Sequence, residues 1–313
     1  MAPLSLLLAI GTLLLAPARA APVEPAMSER IVGGSAVSSG TYPFAVRLSI
    51  RDGSENLLCG GAFLTDSLVV TAGHCVVAEA GGRVFDAKAI TVCYGASELR
   101  KQSCTTATGV TLHPDYDPVA LYNDIALIDV SAVDGASTVQ VYTGDLSMGD
   151  SLVTMGWGKT SDDAKTLPTE LRSVNIKVGD PRTCSVGDPK YKADDGMRVC
   201  AVNADTPGKD SCQGDSGSPA VVTDNNGQVY LAGLTSAGMD LSNDNPDNPT
   251  CATKDGLAFY TRVGYFLDFI AKSSGLSEST FTNGKSTEDK DSAAGSVTYF
   301  ALAPLLLAAL AAL

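Results

Sequence analysis

The residues best equipped for chemistry lie in Asp210-Ser211-Cys212-Gln213-Gly214-Asp215-Ser216-Gly217-Ser218-Pro219. Ser216 stands among small, backbone-permissive residues, beside an acid. Gly214 and Gly217 let the main chain bend tightly, so successive N–H groups can converge on one point. A serine hydroxyl is a weak nucleophile until a base takes its proton. The chain has two histidines, so candidate bases are few. His113, in Leu112-His113-Pro114-Asp115-Tyr116, reads as structural. His74 follows the β-branched apolar run Leu68-Val69-Val70-Thr71 and abuts Cys75. Asp115, Asp117, Asp124 and Asp129 could each orient an imidazole. Only Asp124 opens the apolar run Ile125-Ala126-Leu127-Ile128, where a buried carboxylate can be held rigidly. A serine, a base and an orienting acid are the parts of nucleophilic acyl transfer.

Together with Arg30-Ile31-Val32-Gly33-Gly34, these motifs resemble, in order and spacing, the chymotrypsin/trypsin family of serine proteases, from Ile31 to about Ser273. The resemblance implies Ser216 as nucleophile and His74 as general base, then acid. It implies Asp124 as the group that holds the imidazole. The N–H groups of Gly214 and Ser216 would form the oxyanion hole, each donor contributing about 2.7–4 kcal/mol in the transition state. Ser236, in Leu234-Thr235-Ser236-Ala237-Gly238, matches the serine that supports that aspartate. Asp210, six residues before Ser216, matches the acid at the base of the trypsin specificity pocket and implies cleavage after Arg or Lys. Gly238 would keep one pocket wall open, while Ala258 replaces a wall glycine and would crowd a long basic side chain. Ser218 and Ala237 also depart from the family, which usually has glycine and often tryptophan there. Cleavage after Arg30 would free an α-ammonium on Ile31, and in the family that group pairs with the acid at Asp215. An unpaired buried carboxylate costs several kcal/mol, enough to drive reordering of the oxyanion hole and pocket. The chain thus reads as a zymogen, activated by another protease or by itself, with Arg- or Lys-containing protein and peptide substrates as partners.

Residues 1–20 read as a signal peptide, with an apolar stretch from Leu4 to Leu15 and small residues at Ala18 and Ala20. Residues 21–30 read as an activation propeptide. In a secreted chain the eight cysteines are legible as four disulfides. The family implies Cys59–Cys75, Cys184–Cys200 and Cys212–Cys251, leaving Cys93–Cys104 by elimination. No CxxC exists and the histidines lack ligand spacing, so neither zinc nor any other cofactor is expected. The formal net charge of −13 argues against nucleic acid as a partner.

The elements that must position these residues are short apolar or alternating runs between Gly, Pro, Asn and Asp clusters, such as Phe44–Ile50, Leu152–Met155 and Leu171–Ile176. That pattern predicts an all-β sandwich or barrel. The family implies the particular all-β form: two packed six-stranded β-barrels, about 31–142 and 143–275, with the site in the cleft between them. An amphipathic helix is predicted over Gly264–Lys272, ended by Gly275, and a shorter one from Asp180-Pro181. Residues 276–296 are a polar linker. The apolar run from Val297 to Leu313 reads as a glycosylphosphatidylinositol-anchor signal, with Asn283 or Ser286 as attachment site, against a transmembrane tail as the alternative. Such a protein would sit on the outer cell surface. The functional alternative to an endopeptidase is a catalytically silent, protease-shaped binding protein. The presence of His74, Asp124, Ser216, Arg30 and Asp210 favours the enzyme.

Overall fold

A computed structural model describes residues 31–53, 55–78, 82–242 and 250–282. The expected signal peptide, propeptide and anchor segment, with Arg30, Asn283 and Ser286, lie outside the described residues. The strands are β1 (Ser35–Ala36), β2 (Ala45–Asp52), β3 (Glu55–Phe63), β4 (Leu68–Thr71), β5 (Ile90–Tyr94), β6 (Ser103–Leu112) and β7 (Ala126–Val130), then β8 (Gln140–Val141), β9 (Ser151–Gly156) and β10 (Arg172–Lys177). Helix α1 (Pro181–Gly187) follows, then β11 (Arg198–Val202), β12 (Pro219–Thr223), β13 (Val229–Asp240), β14 (Gly256–Arg262) and helix α2 (Leu267–Ser274).

Strands β2-β3-β4-β7-β6-β5 form a closed barrel. Alternation explains its filling: Val46, Leu48 and Ile50 of β2 point inward and are fully buried, as are Val69, Ile90, Val92 and Ile128. The other body is an eight-stranded sheet ordered β1-β10-β9-β12-β13-β14-β11, with β8 beside β13. A bridge between Val178 and Ala201 brings the chain just after β10 back to β11, so six of these strands wrap towards closure. Leu152, Val174, Ile176, Ala220 and Tyr260 fill its interior. A shared core joins the two bodies: Ala62, Val70 and Leu127 of the first meet Met155, Val221 and Leu234 of the second. Ile270 of α2 and Phe281 seal one end of that core.

Helix α1 starts as its sequence requires, with the Asp180 carboxylate accepting from Arg182 N at 2.9 Å and proline in the first turn. Helix α2 ends at Gly275, whose φ of 71° suits a left-handed cap. The predicted helix start at Gly264 is a 3-10 turn over Val263–Phe266, and regular α-helix begins only at Leu267. Cys93 and Cys104 face each other on adjacent strands and are bonded, as are Cys59–Cys75, Cys184–Cys200 and Cys212–Cys251. Among the described residues no helix is long and apolar enough to cross a membrane.

Candidate active site

His74 lies on the 3-10 turn Gly73–Val76 after β4, tied to β3 by Cys59–Cys75. Its backbone N–H donates to Asp124 Oδ1 at 2.8 Å, and its Nδ1 pairs with Asp124 Oδ2 at 2.9 Å. Two contacts to one carboxylate fix both the position and the ring plane of the imidazole. Ser236 Oγ donates to the same Oδ2 at 2.6 Å, and Thr261 Oγ1 donates to the Asp124 carbonyl at 2.8 Å. Asp124 is 1% exposed. Its burial alone would raise the carboxyl pKa, but the His74 charge and the hydrogen bonds from His74 and Ser236 prevail and lower it. For His74, burial lowers the pKa, and the Asp124 charge and hydrogen bond outweigh it to give a net rise.

Ser216 is held against the same turn from the other side. Gly60 N donates to Ser216 O at 2.7 Å, and Gly217 N donates to Thr235 O at 2.7 Å. A side chain on Gly217 would collide with Thr71 Oγ1, and its φ of 72° is the left-handed region, so glycine is required there. No hydrogen bond joins Ser216 Oγ to His74. Such contacts are commonly long in a protein without substrate and tighten when one binds. Gly214 has a φ of 94°, and neither its N–H nor that of Ser216 finds an acceptor among the described residues. Two free donors on one turn are what a developing oxyanion needs.

The acid between them is bound inward. Asp215 is 0% exposed, accepts from Gly158 N at 2.7 Å and from Cys212 N at 2.9 Å, and burial pushes its pKa up to about 7. Ile31 is fully buried, and Val32 bridges Asp210.

A cavity of about 180 Å³ opens beside Ser216, walled by segments 210–213 and 235–239 and closed by Thr250 and Cys251. Asp210 is one of its lining residues, 6% exposed, with its pKa pushed up to about 6 by burial. Its principal partner, Asn203, had no motif to mark it in the sequence. Asn203 is 1% exposed and donates through Nδ2 to Asp210 Oδ2 at 2.8 Å. Gly256 leaves the room, since a side chain there would strike that amide. Gly238 lines the cavity, and so does Met239. Ala258 pairs with Gly238 across the β13–β14 ladder and is 2% exposed, packed in the core cluster of the second body. Asp240, which follows the lining residue Met239, is turned onto Ser242, accepting from its N and Oγ.

Two further features escaped the sequence. Ser218 is 1% exposed, and its Oγ has no hydrogen-bond partner; its neighbours include Gly60 and Gly156. Arg198 of β11 pairs with Asp188 at 3.1 Å, stacks over Tyr122 at 4.6 Å, and donates to the carbonyls of Ala120 and Leu121. Tyr122 OH donates to Asp188 at 2.6 Å. This buried network grips the loop just before Asp124, where Leu121 and Asn123 have φ of 51° and 52°. Left-handed backbone at such residues persists only when the surroundings enforce it. His113 packs on Phe266 and Phe269 and accepts from Asp115 N, a structural role.

Comparison with known proteins agrees with this geometry. The family model described as Trypsin matches residues 31–270. The proclotting enzyme of Tachypleus tridentatus is 30% identical over 259 residues, covering 78% of this chain and 66% of that protein. Trypsin Blo t 3 of Blomia tropicalis is 30% identical over 250 residues, covering 77% and 84%. Putative trypsin-6 of Homo sapiens is 32% identical over 246 residues, covering 77% and 88%. The chain belongs to the chymotrypsin/trypsin family of serine proteases.

Proposed function

We propose that this chain is an endopeptidase made as a zymogen and cutting after Arg or Lys. The observation that carries the reading is the hydrogen-bonded line Ser236–Asp124–His74, beside a cavity that Ser236, Ser216 and Asp210 all line. Ser216 Oγ bonds to the scissile carbonyl carbon as its proton passes to His74 Nε2. The carbonyl oxygen takes the negative charge and accepts from the Gly214 and Ser216 N–H groups. His74 then gives the proton to the amide nitrogen, the C–N bond breaks, and the amine leaves an acyl-Ser216. Water adds to the acyl carbon, losing its proton to His74, and Ser216 departs with that proton. Asp124 keeps the imidazole in the tautomer that accepts at Nε2 and stabilises the imidazolium without taking its proton.

Asp210, a buried residue of the cavity lining, pairs with a basic side chain, and an apolar one would leave it unpaired. Cleavage after Arg30 supplies an ammonium on Ile31 for Asp215. The relative named proclotting enzyme fits a precursor of this kind. The apolar segments Leu4–Leu15 and Val297–Leu313 support secretion and a lipid anchor at the cell surface.

A fluorophosphonate probe tests the reading after cleavage at Arg30–Ile31. The expected result is one label on Ser216, none on Ser216→Ala, and hydrolysis of peptides after Arg and Lys that Asp210→Ser abolishes. A cleaved, folded protein that takes no label and cuts no peptide refutes the enzyme reading and leaves the binding protein.

A further inference from the structure

Of the four disulfides, Cys93–Cys104 sits differently from the rest. Cys104 is the one exposed half-cystine; Cys251 is half-buried and the other six are buried. Cys93 is 2% exposed, and its sulfur accepts from the Arg47 guanidinium, with Nη2 at 3.4 Å. An exposed disulfide is the kind that exchanges with outside thiols. A thiol leaves faster when a neighbouring cation lowers its pKa. The bond thus has an open end for attack at Cys104 and a cation-assisted leaving end at Cys93.

The same bond closes a loop on which the site depends. Cys93 and Cys104 oppose each other on β5 and β6, with Tyr94 to Ser103 between them. The Ser97 carbonyl accepts from Trp157 Nε1 at 2.8 Å and from Leu171 N at 2.9 Å, and Leu99 N donates to Thr169 O at 2.9 Å. Gln102 braces the loop from inside: its Nε2 donates to Ala96 O at 3.1 Å, and its Oε1 accepts from Arg47 at 3.3 Å. The first barrel thus grips both ends of the segment 157–171 that joins β9 to β10. That segment leads straight to the turn of the nucleophile. Gly158 N donates to Asp215 Oδ1 at 2.7 Å, and Lys159 N donates to Gln213 O at 2.8 Å. A side chain on Gly214 would meet Gly158 Cα at 3.1 Å, so these backbones lie close together.

We propose that Cys93–Cys104 is a site of exchange with low-molecular-weight thiols, and that opening it loosens the hold of the Tyr94–Ser103 loop on Trp157 and Gly158 and lowers activity. A thiolate attacks Cys104 Sγ, the S–S bond breaks, and the electron pair leaves on Cys93 Sγ beside Arg47. A second thiolate attacks the reagent's sulfur in the mixed disulfide and frees Cys104. Two thiols are oxidised to one disulfide, and their two electrons reduce the protein disulfide to two cysteines. Without the cross-link the loop has more conformations to lose each time it docks, so its bonds to Trp157, Thr169 and Leu171 are made for less of the time. The fall in activity rests on Ser216 and Gly214 acting as proposed above; the exchange and the loosening do not.

The test treats the activated protein with reduced glutathione, traps free thiols with iodoacetamide and maps them by mass spectrometry. Cys93 and Cys104 should be alkylated, or Cys104 should carry glutathione, while the other three disulfides stay intact. Trp157 is the single tryptophan of the chain and is 3% exposed, so its fluorescence reports the state of this contact. Its emission should move to the red and become open to acrylamide quenching. The kcat per fluorophosphonate-labelled site should fall about fivefold, the scale of one lost hydrogen bond. All these changes should reverse on reoxidation. Cys93→Ser with Cys104→Ser should show the loosened emission without glutathione and no response to it. Arg47→Gln should slow the exchange, and an equal rate overturns the part given to Arg47. Reduction of another pair first, or of this pair with unchanged Trp157 emission, overturns the proposal. A shifted emission with unchanged kcat overturns the coupling to catalysis. A protein that takes no fluorophosphonate label before reduction overturns the enzyme reading instead, and the thiol map and the emission still decide the exchange.

Discussion

The buried Asp215 should make the uncut protein lose stability as pH rises, and cleavage should remove that loss. In the uncut chain the carboxyl gains two N–H donors but no cation among the described residues, and burial carries its pKa from 3.8 to about 7. The folded state then holds a proton that the unfolded state has released. Stability from this group is greatest below pH 3.8, falls as pH rises towards about 7, and is flat beyond it. Each pKa unit is worth about 1.4 kcal/mol, so the fall is on the order of 4 kcal/mol. Asp210, pushed up to about 6, acts with the same sign. The assay is guanidinium unfolding from pH 4.5 to 8.5 of uncut Ser216→Ala, which cannot cleave itself, against the same protein with Asp215→Asn. Asparagine adds a constant penalty, since its NH₂ must face one of the two N–H donors, so the slope is the quantity to read. Asp210 titrates in both proteins, but its charge also raises the Asp215 pKa, so it cancels from the difference only in part. The difference should change by about 2–3 kcal/mol between pH 5 and 7.5. After cleavage at Arg30, the Ile31 ammonium should pull the carboxyl pKa down and abolish the Asp215-dependent slope. A difference curve that is flat in the uncut protein would refute the claim that an unpaired buried charge drives activation.

Four shorter expectations accompany it. Arg30→Gln should leave an uncleavable precursor with little activity, and full activity in that variant would refute the zymogen mechanism. Asn203→Ala should weaken cleavage after Arg and Lys by about tenfold while fluorophosphonate labelling of Ser216 persists, because it removes a charge-assisted bond to Asp210 of about 1.5–3 kcal/mol. It should also move the acid limb of kcat/KM upward, since Asp210 loses a donor that holds its pKa down. Ser218→Ala should be neutral or raise stability by about 1 kcal/mol in denaturant unfolding, as it removes an unpaired buried hydroxyl. Phosphatidylinositol-specific phospholipase C should release active protein from intact cells, whereas recovery of peptides from Val297 onward in the mature protein would make the tail a membrane span.

How much of this was legible in the sequence follows from what each feature depends on. Strands β2, β9 and β10 were visible because alternation is a local property with a fixed period. Helix α1 was visible because Asp180 and Pro181 act within their own turn. The triad could be read because motif spacing stood in for contacts that chain topology makes. Ser236 reaches Asp124 across 112 residues, which no local pattern encodes. Where a feature lacked a motif, it went unseen. Asn203 is an ordinary polar residue in a loop until the fold buries it against Asp210. Ala258, implied as a pocket-wall residue by the resemblance, pairs with the cavity-lining Gly238 and is 2% exposed, a burial that no local pattern encodes.

Arg198 and Asp188 show the same limit from the energetic side. Ten residues apart, they read as ordinary surface charges, yet both are buried, and the pair's partners are Tyr122 and two carbonyls from the other barrel. Replacing a buried pair by apolar groups is often neutral, whereas removing one partner costs about 3–5 kcal/mol. The pair therefore adds little as a generic source of stability. Its position gives it another role: it grips Ala120, Leu121 and Tyr122, with Leu121 at a φ of 51°, just before Asp124. The loop that carries Asp124 from the first barrel is thus fastened to the second, which carries Ser216. One contact that spans both barrels ties the alignment of His74 and Ser216 to the integrity of their interface, so damage to that interface should reach catalysis before it reaches the fold.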